Sequence, residues 1–296
     1  MSTETGNSDH EWIAGNYCVS FIDLLGQRDA LRGQGLLPPF ESEEERKKLH
    51  EILRNSIGSI IKLQKQAEDM LEGLKPNLDS PLRAALPPEQ HATWDEMQRM
   101  RIKTQRWSDG LVSFICLGDT DIKCQMNGVF GIFGLAGVLC LLGLATRQPI
   151  RGAIEVAWGV ELHPGELYGA ALARAYELES EIAQYPRIVV GPESVKILMA
   201  HAANLEQDVY SQADRNFAIL CLEMLIQDAD GHWLLHYLGD KFQSAITHNH
   251  HAELYIAARK FVFEQLSEHQ ANLNTKLAFR YLHLLQYFDA HQPTRK

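Results

Sequence analysis

Tyr17-Cys18-Val19-Ser20-Phe21-Ile22-Asp23-Leu24-Leu25-Gly26 is the stretch on which the fold turns. Residues 17–22 are a β-like run that reads as a buried strand. It ends in an acid, Asp23, and a loop that leads into a short helical stretch. A second unit of this kind is Trp107-Ser108-Asp109-Gly110-Leu111-Val112. It lies in an expected strand pair over 100–117, with the turn near 106–109.

Outward from these units, Gly33 to Pro39 breaks the pattern, and 41–74 reads as one long helix. Glu41, Glu43, Glu44 and Glu45 lead it, as the helix dipole prefers, and Ile52, Ile57, Ile60, Ile61 and Leu63 supply an apolar face. Four prolines over 75–90 predict a loop. After the hairpin come an apolar helix over 124–146 and a strand over 150–160. A turn over 163–169 launches a helix over 170–181. A short strand at 187–190, a helix at 195–205 and a hairpin of 218–227 with 232–238 follow. From 242 the chain reads as helix to its end. Strands alternate with helices, and some pair directly, which predicts an α+β or mixed α/β domain.

The 296 residues include 28 Lys and Arg against 38 Asp and Glu, a net charge of −10. No basic run is present, which argues against a nucleic-acid partner. Residues 1–9 are polar and acidic, without the apolar core of a secretory signal. The five cysteines form no CxxC pair, as expected of reduced thiols in the cytoplasm. Residues 124–146 carry no charge and are long enough to span a bilayer. Gly128, Gly131, Gly134 and Gly137 recur every third residue, and strands flank the segment. A helix buried in protein, with no stable membrane insertion, is therefore the expectation.

An aspartate at the edge of a buried strand needs a partner, because a bare buried charge is costly. Asp23 and Asp109 are hard oxygen ligands of the kind divalent cations take. The Leu24-Leu25-Gly26 loop, opening a helix, can offer backbone N–H groups to phosphate. A plainer reading is that each Asp caps a turn. Spacing alone leaves both open.

The order of the pieces is more specific than any one of them. FIDLLG at 21–26 ends a strand, SDGLVSF at 108–114 is carried by a hairpin, and a helix and IRGAIEVAWG at 150–159 follow. Tyr168-Gly169, Tyr176-Glu177-Leu178-Glu179 and Tyr185-Pro186-Arg187-Ile188 complete the set. This order resembles the class III nucleotidyl cyclase catalytic domain, over about 17–190. Within that superfamily it is most similar to the pyrimidine cyclases of bacterial Pycsar anti-phage systems.

The resemblance implies a ferredoxin-type βαββαβ core with additional helices and a homodimer. It implies conversion of a nucleoside triphosphate to a 3′,5′-cyclic monophosphate and pyrophosphate, with two divalent metals per site, Mn2+ or Mg2+. Asp23, Asp109 and the Leu24 carbonyl match the metal-binding positions. Phe21, Asp23, Leu24, Leu25, Gly26 and Gln27 match the triphosphate-binding stretch. A two-metal clamp can activate the ribose hydroxyl and neutralise the leaving pyrophosphate.

The chain departs from the purine enzymes, which place Asn and Arg four residues apart on the helix after Gly169. Ala173 and Glu177 stand there, and Gln105 replaces a Lys. This favours the pyrimidine branch. The family resemblance, not these residues, places UTP ahead of CTP. Arg106, Arg151, Arg174 and Tyr176 become the candidates for transition-state stabilisation. The resemblance also implies a second messenger that activates a partner effector in antiviral defence. The alternatives are a catalytically silent nucleotide sensor and a purine cyclase.

The expected division is a catalytic domain over 12–242, with a helical insertion at about 40–98, and a C-terminal helical segment over 243–296. That segment carries aromatics (Tyr255, Phe261, Phe263, Phe279, Tyr281, Tyr287) and few basic positions, as a packing helix would. The run His248-Asn249-His250-His251 reads as a solvated loop, and His232 and His236 as structural residues.

Overall fold

The structure, a computed structural model, describes residues 14–27, 31, 42–75 and 79–293. The polar start at 1–9 and the break at 33–39 fall outside these. Strand β1 (Ala14–Leu24) is followed by helix α1 (Glu43–Gly73) and helix α2 (His91–Gln98). Hairpin β2 (Lys103–Trp107) and β3 (Gly110–Cys116) leads into helix α3 (Gln125–Ala145), and β4 (Ile150–His163) returns to the sheet. The order β2-β3-β1-β4, with every neighbouring pair antiparallel, is the ferredoxin-type arrangement. The fold is α+β, with the βαββαβ order that the family resemblance implied.

The sheet continues with β5 (Glu166–Tyr168), which folds back on β4, and β6 (Ile188–Val190), parallel to β4. Strands β7 (Leu225–Gln227) and β8 (Trp233–Leu235) extend it from β6. The helices between are α4 (Ala170–Glu177), α5 (Pro192–Ala202) and α6 (Val209–Glu223); α7 (His251–Ala271) and α8 (Thr275–Ala290) close the chain.

Strand period explains the two faces. In β1, Cys18, Ile22 and Leu24 join the main core with α3, α6, α7 and α8. Tyr17, Val19 and Phe21 point the other way, into a smaller core with Ala171 and Ala175 of α4. Asp23 shares the parity of Phe21 and so opens on the α4 side. Tyr255, Phe261 and Tyr281 of the closing helices belong to the main core.

Helix α3 is long and apolar enough to cross a membrane, but 78% of its apolar window is buried inside the protein. Its glycine row is a packing surface. A Cβ at Gly128, Gly131, Gly134 or Gly137 would meet Ile115, Ile102, Ile246 or Phe242 within 3.1 Å.

Several local expectations shift. Helix α6 runs to Glu223, so only Leu225–Gln227 of the expected strand 218–227 is strand. Ala218 and Cys221 face the core three residues apart, a helical spacing, and Asp208 caps the helix through Tyr210 and Ser211 N–H groups. The expected turn at 163–169 contains β5. The loop at 75–90 contains a one-turn helix, Pro81–Ala84. In α1 the buried row is Ser56, Leu63 and Ala67, with Ile60 and Leu71 against the core. Ile57 and Ile61 lie off that row and are exposed. His251 is buried at the start of α7, with Nδ1 2.8 Å from Thr247 Oγ1, so the histidine run is not wholly a solvated loop.

Candidate active site

A cleft of about 780 Å³ opens where β1, the β2–β3 turn and the start of β4 end together. Register accounts for the meeting of acids. Asp23 pairs across the sheet with Gly110 on one side and Arg151 on the other. Asp109 precedes Gly110 in the turn, so it comes alongside Asp23. The close approach requires glycine: a Cβ at Gly110 would lie 2.8 Å from the Ile22 carbonyl oxygen.

The loop after Asp23 is tied down on both sides. Leu25 N–H donates to the Pro149 carbonyl at 2.9 Å, and Ser56 of α1 donates to Gln27 Oε1 at 2.8 Å. Gly26 has φ +93°, a left-handed turn. Phe21, Asp23, Leu24, Leu25, Gly26 and Gln27 all line the cleft, as do Asp109, Arg151 and Tyr176. The ring of Phe21 lies edge-on between Trp107 and Tyr176, at 6.3 and 5.3 Å between centroids. Trp107 and Tyr176 remain half exposed beside it.

The four candidates for transition-state stabilisation divide. Arg151 and Tyr176 line the cleft. Arg106 turns to Glu68 of α1 at 3.1 Å, on the surface. Arg174 reaches the buried Glu155 at 3.4 Å.

Two residues to which the sequence assigned no role in the site complete the charge pattern. Glu179 sits in the π-helical turn Leu178–Ile182 that continues α4, buried against the Arg151 guanidinium. Arg151 also lies 3.7 Å from Asp23. Burial raises the Glu179 carboxyl to about 7; Arg151 opposes the rise, while Asp23 and Asp109 reinforce it. Arg280 of α8 enters from the closing helices. An arginine among Leu277, Tyr281 and Leu284 on an apolar helix stripe was the available signal for it. Glu179 stood in the motif stretch 176–179, but its turn toward the cleft is set by the π turn, which spacing does not show.

The site supplies two carboxylates at adjacent strand ends. No cluster of three metal-ligating side chains is present among the described residues. That donor set fits a magnesium-type ion, which is commonly held by one or two carboxylates together with water and substrate phosphates. Arg151 competes for Asp23 and neutralises part of its charge. Far along the sheet, a cavity of about 330 Å³ is lined by Arg101, Asp119, Lys103 and Glu161, which pair with one another.

No protein-family model matches the chain, and no curated protein does. Among solved structures the chain is similar to the catalytic core of a rhodopsin-guanylyl cyclase with converted specificity in complex with ATPαS. The TM-score is 0.39 and the identity 10%, over 76% of this chain and 98% of that one.

Proposed function

We propose that the chain is a nucleotidyl cyclase that closes UTP, or CTP, to its 3′,5′-cyclic monophosphate with release of pyrophosphate. One observation carries this reading: Asp23 and Asp109 converge at adjacent strand ends in a cleft that also contains the anchored loop 24–27. Divalent ions held by Asp23, Asp109 and the Leu24 carbonyl would raise the acidity of the ribose 3′-hydroxyl and neutralise the leaving pyrophosphate. The chain's own groups do the rest. Gln27 and the loop backbone bind the triphosphate. Trp107 and Tyr176 offer aromatic faces to a base. Arg151 lies beside the acids, where charge builds on the α-phosphoryl group.

In this reading residues 12–242 form the catalytic unit, with an insertion at about 40–98, and 243–296 a closing helical segment. A second copy of the chain would cover Trp158 and Tyr168, which are 57% and 62% exposed on β4 and β5. The product would act on an effector in antiviral defence. Burial of α3 supports a cytoplasmic enzyme without stable membrane insertion.

A second reading is a silent nucleotide sensor. It is favoured by Arg106 and Arg174, whose guanidiniums pair with carboxylates away from the cleft lining. Incubation of the protein with each of the four nucleoside triphosphates and Mn2+ separates the readings. Cyclic UMP or cyclic CMP with pyrophosphate is expected. Cyclic product from ATP or GTP alone breaks the pyrimidine assignment. Tight nucleotide binding with no pyrophosphate release from any of the four supports the sensor.

A further inference from the structure

We infer that helix α8 supplies, within the same chain, the guanidinium that grips the substrate's polyphosphate, and that this residue is Arg280. The inference rests on the nucleotide reading for the identity of the anion. The placement of the charge stands by itself.

Helix α8 presents Leu277, Arg280 and Tyr281 to the cleft, the i, i+3, i+4 spacing of one helix face. Arg151 and the β1 loop line the same cleft, and the charge of Arg151 acts on Arg280. Most arginines around this end of the molecule are neutralised. Arg147 pairs with Glu264, Arg151 with Glu179, Arg187 with Asp228 and Asp230, and Arg259 with Asp289. Arg280 differs. Its Nη2 donates to the neutral Gln184 Oε1 at 2.9 Å, and no carboxylate lies within ion-pair distance among the described residues. Burial, and then the like charge of Arg151, hold its pKa below the usual arginine value. A cation partly withdrawn from water and facing a second cation lacks a counter-ion. An anion between the two would relieve both costs. The planar guanidinium fork matches phosphate oxygens in pairs.

The helix is fixed where this requires. One turn beyond Arg280, His283 Nε2 sits 2.9 Å from Asp228 Oδ1 in the β7–β8 turn. The same carboxylate takes the Arg187 guanidinium at 2.5 Å and the Tyr185 hydroxyl. That part-buried junction ties α8 to the sheet, so Arg280 is held by structure rather than by a partner charge. It brings to the cleft the guanidinium that Glu177 cannot supply from α4.

The test uses the full chain and inorganic tripolyphosphate with Mg2+, titrated calorimetrically. Arg280→Ala should weaken tripolyphosphate binding roughly ten- to a hundredfold, the usual effect of losing a charge-assisted hydrogen bond. Arg280→Lys should recover part of the loss, and Gln184→Ala should bind within about twofold of the parent. Equal losses in Gln184→Ala and Arg280→Ala would assign Arg280 a structural role and overturn the inference. So would failure of the unaltered chain to bind tripolyphosphate, or unchanged binding by Arg280→Ala. Cyclic-product assays run in parallel keep the two claims apart. Loss of binding in Arg280→Ala, with no product from the unaltered chain, sinks the cyclase reading and leaves the anion site. Product formation with unchanged kcat and KM in Arg280→Ala does the reverse.

Discussion

Glu155 and Glu179 are alike by every coarse measure. Both are at most 1% exposed, both face an arginine, and burial raises both above the usual carboxylate range. Their surroundings differ. Glu155, in the middle of β4, accepts from Val156 N–H at 2.8 Å and Ser194 N–H at 3.0 Å. Ser194 lies in the first turn of α5, whose N-cap, Gly191, has no side chain to offer. A Cβ at Gly191 would fall 2.3 Å from Glu155 Oε2, so the glycine makes room for a cap supplied by the sheet. Glu155 is therefore an internal helix cap. Among the described residues no backbone N–H donates to Glu179, which sits with Arg151, Asp23 and Asp109 at the cleft. One buried acid completes the fold, and the other belongs to a charge cluster open to a ligand.

The most severe way to sharpen this contrast is at Asp109. It lies at a turn rather than under a helix, so Asp109→Ala should leave the thermal transition nearly unchanged. Nucleotide turnover should fall at least about a hundredfold, because loss of a metal-holding carboxylate removes several kcal/mol of charge stabilisation. Retained turnover would remove Asp109 from the site. A large drop in stability would place it with Glu155.

The opposite pattern is expected of Glu155. Glu155→Ala removes the acceptor of two buried N–H groups and should lower stability by roughly 2–4 kcal/mol in urea denaturation. Arg174→Ala removes the other half of the pair. Arg174 is 41% exposed, so solvent screens the interaction and the cost should be at most about 1 kcal/mol. If Arg174→Ala instead costs as much as Glu155→Ala, the ion pair and not the helix cap holds that region, and the contrast fails.

The legibility of these features follows the range of the forces that place them. The β-like run of β1, the acid-led start of α1 and the uncharged run of α3 are local patterns, and each was visible in the chain. The apolar run at 218–222 is short enough to suit a strand or a helix, and only packing of Ala218 and Cys221 decides for the helix. Asp23 and Asp109 stood out because each borders a strand, and the order of motifs around them could be followed. Arg106, Arg151 and Arg174 were equivalent in sequence. What separates them is which carboxylate each one reaches: Glu68 on α1, Glu179 in a π turn, Glu155 beneath α5. Arg280 required the C-terminal helices to fold back on the cleft, which no spacing encodes.

The subtlest test concerns the proton on Glu179. Its carboxyl is raised from an ordinary value of 4.5 to about 7, so between these limits the folded chain holds a proton that the unfolded chain has released. The contribution of Glu179 to stability must then fall as pH rises from about 4.5 to 7 and level off above. Glu179→Gln keeps the shape of the side chain and removes the titration. Measured by urea denaturation with a chelator present, the parent should lose stability relative to the variant across that window, and the difference should be constant at higher pH. The raised proton affinity of Glu155 and the lowered ones of His236, His251 and His291 are common to both proteins and cancel in the comparison. Parallel curves from pH 4.5 to 7 would mean that Glu179 is ionised throughout and held by Arg151 as a fixed ion pair. Glu179 would then stand with Glu155 as part of the frame, and Asp23 and Asp109 alone would carry the negative charge that the cleft offers to a cation.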